Sequence, residues 1–197
     1  MFELGLDYET QRIESRTGET QNPSYLKLNP KQKIPSLLDG DFVVTESTAI
    51  MRHLRRCYDT LGYDQYQQTL EGQAVYDEWL SFMLMELDAT SLYVVRRHRD
   101  LHAIYGEADN AVSSSIAYFE KMISAVEDQI EGRQFVWGSC FSELDIHLTI
   151  LLDWAMAVDA KVPEAFVNYY ETMTHRDAYV AARKFNYSGL QLPTVRL

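Results

Sequence analysis

The stretch Asn29-Pro-Lys-Gln-Lys-Ile-Pro-Ser-Leu-Leu-Asp-Gly, followed by Val44-Thr-Glu-Ser-Thr-Ala-Ile, holds the residue types best suited to grip a ligand. Pro35 follows Ile34 at the entrance to an expected strand, where proline has no N–H to give to a sheet ladder. X-Pro bonds are the one linkage for which the cis isomer is readily accessible. A cis bond at Ile34-Pro35 would leave the Ile34 N–H and C=O facing a groove, free to pair with an extended, peptide-like ligand. Glu46 and Ser47 then open a helix, whose first N–H groups attract anions. The Ser47 hydroxyl suits a ligand carboxylate and Glu46 suits an ammonium. Taken singly, Ile34-Pro35 is equally well an ordinary turn and Glu46-Ser47 a simple helix cap. Taken together, they describe a site for a peptide with a free amino-acid end.

Other reactive types are scattered. Lys27, Lys31 and Lys33 crowd just before the expected hairpin. Such a local cationic cluster suits a small anion better than a polymer. His98 and His102 stand four apart, but Arg96, Arg97 and Arg99 oppose a dication there and no cysteine is near, so no metal is expected. Cys57 trails a helix beside Arg55, Arg56 and Tyr58, and Cys140 precedes a helix; neither belongs to a C-x-x-C pair, so dithiol redox chemistry is not expected. Trp79, Phe82, Met83, Tyr93 and Trp154 fit either an apolar substrate cleft or helix packing, and packing is the commoner fate of such residues.

Two kinds of element must position these groups. Residues 1–65 carry the strand-like punctuation. Tyr8–Glu14 alternates as a short strand, a polar stretch follows from Ser15 to Pro23, and the apolar runs of 33–44 meet at Asp39-Gly40, a strong hairpin signal. Thr45 offers a cap, and Ile50, Met51 and Leu54 recur at helical spacing to about Tyr58. Polar residues 59–66 read as a linker. From Gln67 onward the pattern is helical. One helix is expected from Leu70 through Trp79 towards Arg97. Another carries the stripe Ile116, Phe119, Ile123, Val126 and Ile130 and closes at Gly132. Ser142 and Asp145 have capping-box spacing, with Phe141 and Ile146 placed as a staple, at the head of a helix apolar on most sides and therefore central to a bundle. Pro163 starts a helix bearing Phe166, Tyr170 and Met173. The fold class is α+β, with domains at 1–60 and 66–197.

The chain has 197 residues, 46% of them hydrophobic, which is enough for a core without disulfide or metal staples. Its net charge is −11, from 18 basic and 29 acidic side chains, which argues against nucleic acid and against an anionic membrane surface as partners. Residues 1–65 are nearly neutral, with 8 basic and 10 acidic side chains, while 66–197 hold 10 and 19. Two cysteines fit a reducing compartment. No run approaches the roughly 20 apolar residues of a membrane span, and the acidic N-terminus is not a secretion signal. A cytoplasmic location is expected.

Asn29-Pro30, Lys33-Ile34-Pro35, Asp39-Gly40, Glu46-Ser47 and Ala49-Ile50, in this order and spacing, resemble the glutathione-binding half of a cytosolic glutathione transferase. Phe141-Ser142-x-x-Asp145-Ile146 resembles the central helix of that family's all-helical domain. The resemblance implies a thioredoxin-like N-terminal domain and an all-α bundle, usually dimeric, that conjugate glutathione to a small hydrophobic electrophile. By the same resemblance, the Ile34 backbone pairs with the cysteinyl moiety, Glu46 and Ser47 hold the γ-glutamyl end, and Lys33 meets the glycyl carboxylate. Pro35, Ser142 and Asp145 are structural. Family members begin with a strand and a loop that carry a Ser, Tyr or Cys to activate the glutathione sulfur, and then a helix. The present sequence starts within that helix, so the resemblance places the thiol activator upstream of Met1 and assigns no catalytic residue here. The alternatives are a non-catalytic member acting as an interaction or regulatory module, and a glutathione-dependent reductase.

Overall fold

The dipeptide Asp39-Gly40 turns the chain as its residue types demand, with Gly40 at φ 60°. It joins β1 (Ser36–Asp39) to β2 (Phe42–Thr45), antiparallel, with Ser36 opposite Thr45 and Asp39 opposite Phe42. Ahead of the hairpin, α1 (Pro23–Leu28) begins on a proline, which fits the first helical position because no N–H is needed there. Behind it, α2 (Ser47–Tyr58) runs from the end of β2 and buries Leu54 and Arg55. The computed structural model describes residues 1–14 and 17–188. These elements belong to the first of two units, Met1–Leu61 and Gly62–Leu197.

Tyr8–Glu14 is not a strand, contrary to its alternation. A strand is held by the ladder bonds of a neighbour, and among the described residues the sheet has only β1 and β2. Glu9 to Arg12 are therefore exposed, and the Glu14 N–H bonds instead to the Glu19 carboxylate at 2.9 Å. The polar stretch from Ser15 to Pro23 includes a 3-10 turn at Glu19–Gln21 and runs directly into α1; Ser15 and Arg16 lie outside the described residues.

In the second unit, α3 (Gln65–Gln68) starts inside the expected linker, because Asp64 and Gln67 close a capping box. The buried Gln67 amide also donates to the Trp137 carbonyl at 2.6 Å. Helix α4 (Leu70–Phe82) passes without a break into a π-helical stretch, Met83–Leu92, then one α turn at Tyr93–Val95 and a second π stretch, Arg96–Asp100. The residue spacing explains the wide turns. Met83, Leu87 and Leu92 are all fully buried. At the 3.6 residues per turn of an α-helix, Leu92 would point about 180° away from Met83. With i→i+5 bonding, roughly 4.4 residues per turn, all three share one face. The expected single helix is thus continuous to Asp100 but not uniformly α.

After α5 (His102–Tyr105) comes α6 (Asp109–Ser124), which carries Ile116, Phe119 and Ile123 of the expected stripe. Val126 and Ile130 lie past its end, where a 3-10 turn at Glu127–Gln129 re-aims the chain and still leaves Ile130 buried. Helix α7 (Glu143–Ala157) is the core element: Leu144, Leu148, Leu151 and Leu152 are almost wholly buried, each contributing about 1.5–3 kcal/mol by its removal from water. Its N-terminus is organised by Asp145, whose carboxylate accepts from the Ser142 N–H (2.6 Å), the Ser142 hydroxyl (2.9 Å), the Val136 N–H (2.8 Å) and the Tyr169 hydroxyl (2.6 Å). Helices α8 (Glu164–Thr174) and α9 (Asp177–Tyr187) complete the unit, α8 burying Phe166, Tyr170 and Met173. Among the described residues no helix is long and apolar enough to cross a membrane.

Candidate functional site

The hairpin register determines which groups meet. Ser36 pairs with Thr45 at the open end of the hairpin, so Pro35 and Ile34 precede that pair on one strand while Glu46 and Ser47 follow it on the other. The Ile34-Pro35 peptide is cis. Ile34 is 48% exposed, and among the described residues its N–H and C=O make no hydrogen bond. The backbone polar groups of Ile34 are thus available to a ligand, beside the start of α2.

The approach to this edge is held rigidly. The hydroxyl of Tyr25 on α1 donates to the Lys33 carbonyl at 2.6 Å, and the Asn29 amide donates to the same oxygen at 2.7 Å. Asn29 is buried, and its Oδ1 accepts from the Lys31 N–H at 3.1 Å. Sequence reasoning named Asn29 only as part of a motif and did not mark Tyr25. The tyrosine's eleven-residue separation from Ser36, whose Oγ lies 3.1 Å from its hydroxyl, gives no local signal. Lys33 is exposed, with its carbonyl fixed by this clamp. Lys31, not singled out for the glycyl end, is the lysine that pairs with Glu46.

Glu46, rather than Thr45, is the residue preceding α2, and it adopts φ 73° and ψ 124°. Glycine enters positive-φ regions freely, whereas a residue with a Cβ is strained there by about 1–3 kcal/mol. Ser47 is the first helical residue, exposed, with its N–H among those unpaired in the first turn. An anion reaching this point meets the positive end of a twelve-residue helix. The arrangement can hold a peptide backbone at Ile34 and a charged amino-acid end at Glu46 and Ser47.

A different set of residues meets at the far end of the hairpin. His53 Nε2 lies 2.7 Å from Asp39 Oδ2, Tyr58 donates to Asp39 Oδ1 at 2.5 Å, and Cys57 Sγ lies 3.7 Å from His53 Nδ1. These hydrogen bonds from Tyr58 and His53 hold the Asp39 carboxyl below its ordinary range. His98 and His102 are not a pair: Leu101 interrupts the helix between them, and their Nδ1 atoms bond to the carbonyls of Gly106 (3.0 Å) and Arg99 (2.7 Å). Trp79 and Met83 are buried in the helical unit.

Residues 1–56 match the family model for the glutathione S-transferase N-terminal domain. Residues 1–56 therefore belong to the N-terminal domain of the glutathione transferase family. Glutathione S-transferase F10 of Arabidopsis thaliana is 26% identical over 152 residues, covering 74% of this chain and 68% of that relative. Glutathione S-transferase theta-1 of Bos taurus is 28% identical over 144 residues, 72% of this chain and 60% of the relative, so the chain spans about three-fifths to two-thirds of these glutathione transferases. Among solved structures, Ure2p in complex with glutathione superimposes with a TM-score of 0.76 at 21% identity, over 92% of this chain and 84% of the other. The glutathione transferase architecture, a thioredoxin-like domain with a small two-stranded sheet and then a helical domain, is that of the two units described above.

Proposed function

We propose that this chain binds glutathione at the Ile34 edge and conjugates it to a small hydrophobic electrophile. The ligand's cysteinyl backbone pairs with the Ile34 N–H and C=O. Its γ-glutamyl carboxylate takes hydrogen bonds from Ser47 at the α2 N-terminus, its ammonium faces Glu46, and Lys33 answers the glycyl carboxylate. The bound thiolate is the nucleophile, attacking an electrophilic carbon whose leaving group departs with the bonding pair. The group that stabilises the thiolate is not among the residues assigned here. A homodimer in a reducing cytoplasm accompanies this reading, supported by family membership and by two free cysteines.

The carrying observation is Glu46. It occupies a backbone conformation that glycine would take without strain, which is expected where the side chain itself is needed. Glu46→Gly should therefore leave the fold as stable or up to about 1 kcal/mol more stable, while weakening glutathione binding in a calorimetric titration. Ser47→Ala, which removes a hydrogen bond to a charged group, should weaken binding about tenfold or more. A folded chain that takes up no glutathione would end this proposal. Binding without conjugation of an aryl halide would favour the non-catalytic module instead.

A further inference from the structure

We propose that Asp39, His53 and Cys57 form a three-ligand site for a divalent cation of zinc's type, on the opposite end of the hairpin from Ile34. The set supplies a carboxylate, an imidazole and a thiol whose ligand atoms all lie within 4.8 Å of one another. It arises from two elements: Asp39 ends β1, while His53 and Cys57 are four apart on α2, where side chains share a helix face. Mixed oxygen, nitrogen and sulfur donors are those zinc accepts, with bonds of about 2.0–2.2 Å to O and N and 2.3 Å to S.

Those bond lengths can be tested against the geometry. Around a tetrahedral zinc, the nitrogen and oxygen ligands stand about 3.3–3.4 Å apart, and nitrogen and sulfur about 3.6 Å apart. Here Nε2 and Oδ2 are 2.7 Å apart and Nε2 and Sγ 3.9 Å apart. Replacing the shared proton by a metal thus asks the carboxylate to open by well under 1 Å and the thiol to close by a few tenths. The thiol, now 3.7 Å from Nδ1, must also swing towards the Nε2 side of the ring, and the three ligand atoms start within 4.8 Å of one another. With the thiol ionised the ligands carry a formal charge of −2, which balances a dication. Tyr58, donating to the other carboxylate oxygen, orients Asp39 as outer-shell partners of metal ligands do, and the Phe42 ring lies 5.2 Å from that of His53. Cys57 is exposed, and the Asp39 and His53 side chains are 27% and 22% exposed, so an ion can enter and a water can take the fourth position. None of these atoms belongs to the glutathione site, and the inference stands apart from that proposal.

The test uses the whole chain and the metal ions alone. Cobalt(II) added to the reduced protein should produce thiolate-to-cobalt charge-transfer absorption, which zinc(II) then bleaches by displacement. Cys57→Ser should abolish the band, Cys140→Ser should leave it, and His53→Gln should weaken the apparent affinity about tenfold or more. Zinc should also slow alkylation of Cys57 by iodoacetamide while leaving Cys140 unchanged. No charge-transfer band in the intact chain, or a band that survives Cys57→Ser, would overturn the site. Because Cys57 is exposed, its serine variant retains the fold, and far-UV circular dichroism verifies this.

Discussion

Replacing Asp145 by alanine is expected to remove about 3–5 kcal/mol of stability from the helical unit. The side chain is fully buried and accepts four hydrogen bonds, from Ser142 N–H and O–H, Val136 N–H and Tyr169 O–H. Truncation strands these donors away from water, at about 1–3 kcal/mol for each that finds no new partner. The Ser142 and Val136 N–H groups are fixed by the backbone and cannot turn elsewhere. Burial pushes the Asp145 carboxyl above its ordinary range, and the donors from Tyr169, Val136 and Ser142 pull the other way. Asn should rescue little, because its amide replaces an accepting oxygen with N–H groups that would face donors. Trp79, Trp137 and Trp154, the chain's three tryptophans, all lie in the second unit. Urea unfolding followed by their fluorescence therefore reports on the right part. A midpoint for Asp145→Ala equivalent to less than about 1 kcal/mol of destabilisation would show that the network is not needed.

The second large effect is a pH dependence localised on α7. His147 has its Nε2 buried with no hydrogen-bond partner among the described residues, and burial lowers its pKa from 6.5 to about 4. The folded state thus holds a neutral imidazole that the unfolded chain protonates more readily. Its contribution to stability is complete above pH 6.5 and drains away as the pH falls towards 4. A shift of this size corresponds to about 3 kcal/mol by pH 4. Carboxylates titrate over part of the same window, so the measurement is a difference. Between pH 7 and pH 4 the parent should lose about 3 kcal/mol more than His147→Leu, whose side chain cannot be protonated. Parallel stability–pH curves for the two proteins would disprove the assignment.

The parts of the molecule legible in the sequence are those whose signal is local. Asp39-Gly40 forces a turn by its own backbone preferences, and Ser142 and Asp145 are three residues apart, so hairpin and capped helix could both be placed by spacing. The Glu46-Ser47 helix start was legible for the same reason, within one residue. Tyr8–Glu14 misled because alternation tests only which side chains a strand would bury, and says nothing about whether a neighbour supplies the ladder. The π-helical stretch escaped because Met83, Leu87 and Leu92 match an α period for their first step and depart from it in the second. The Asp39–His53–Cys57 cluster was half visible: His53 and Cys57 are spaced as helix neighbours, but the hairpin alone carries Asp39 to them. Tyr25 and Asn29 hold the Lys33 carbonyl through contacts that no periodicity encodes.

The widened turns between Met83 and Leu92 also bear on how this protein tolerates changes in length. A single-residue deletion within an ordinary α-helix rotates everything beyond it by about 100° and drags apolar groups off the core. Between Leu87 and Leu92 the same deletion would shorten the five-residue step to four, and the segment could tighten into regular α-helix with both leucines still facing inward. Related chains should therefore gain or lose a residue at this point more readily than elsewhere in the helical core.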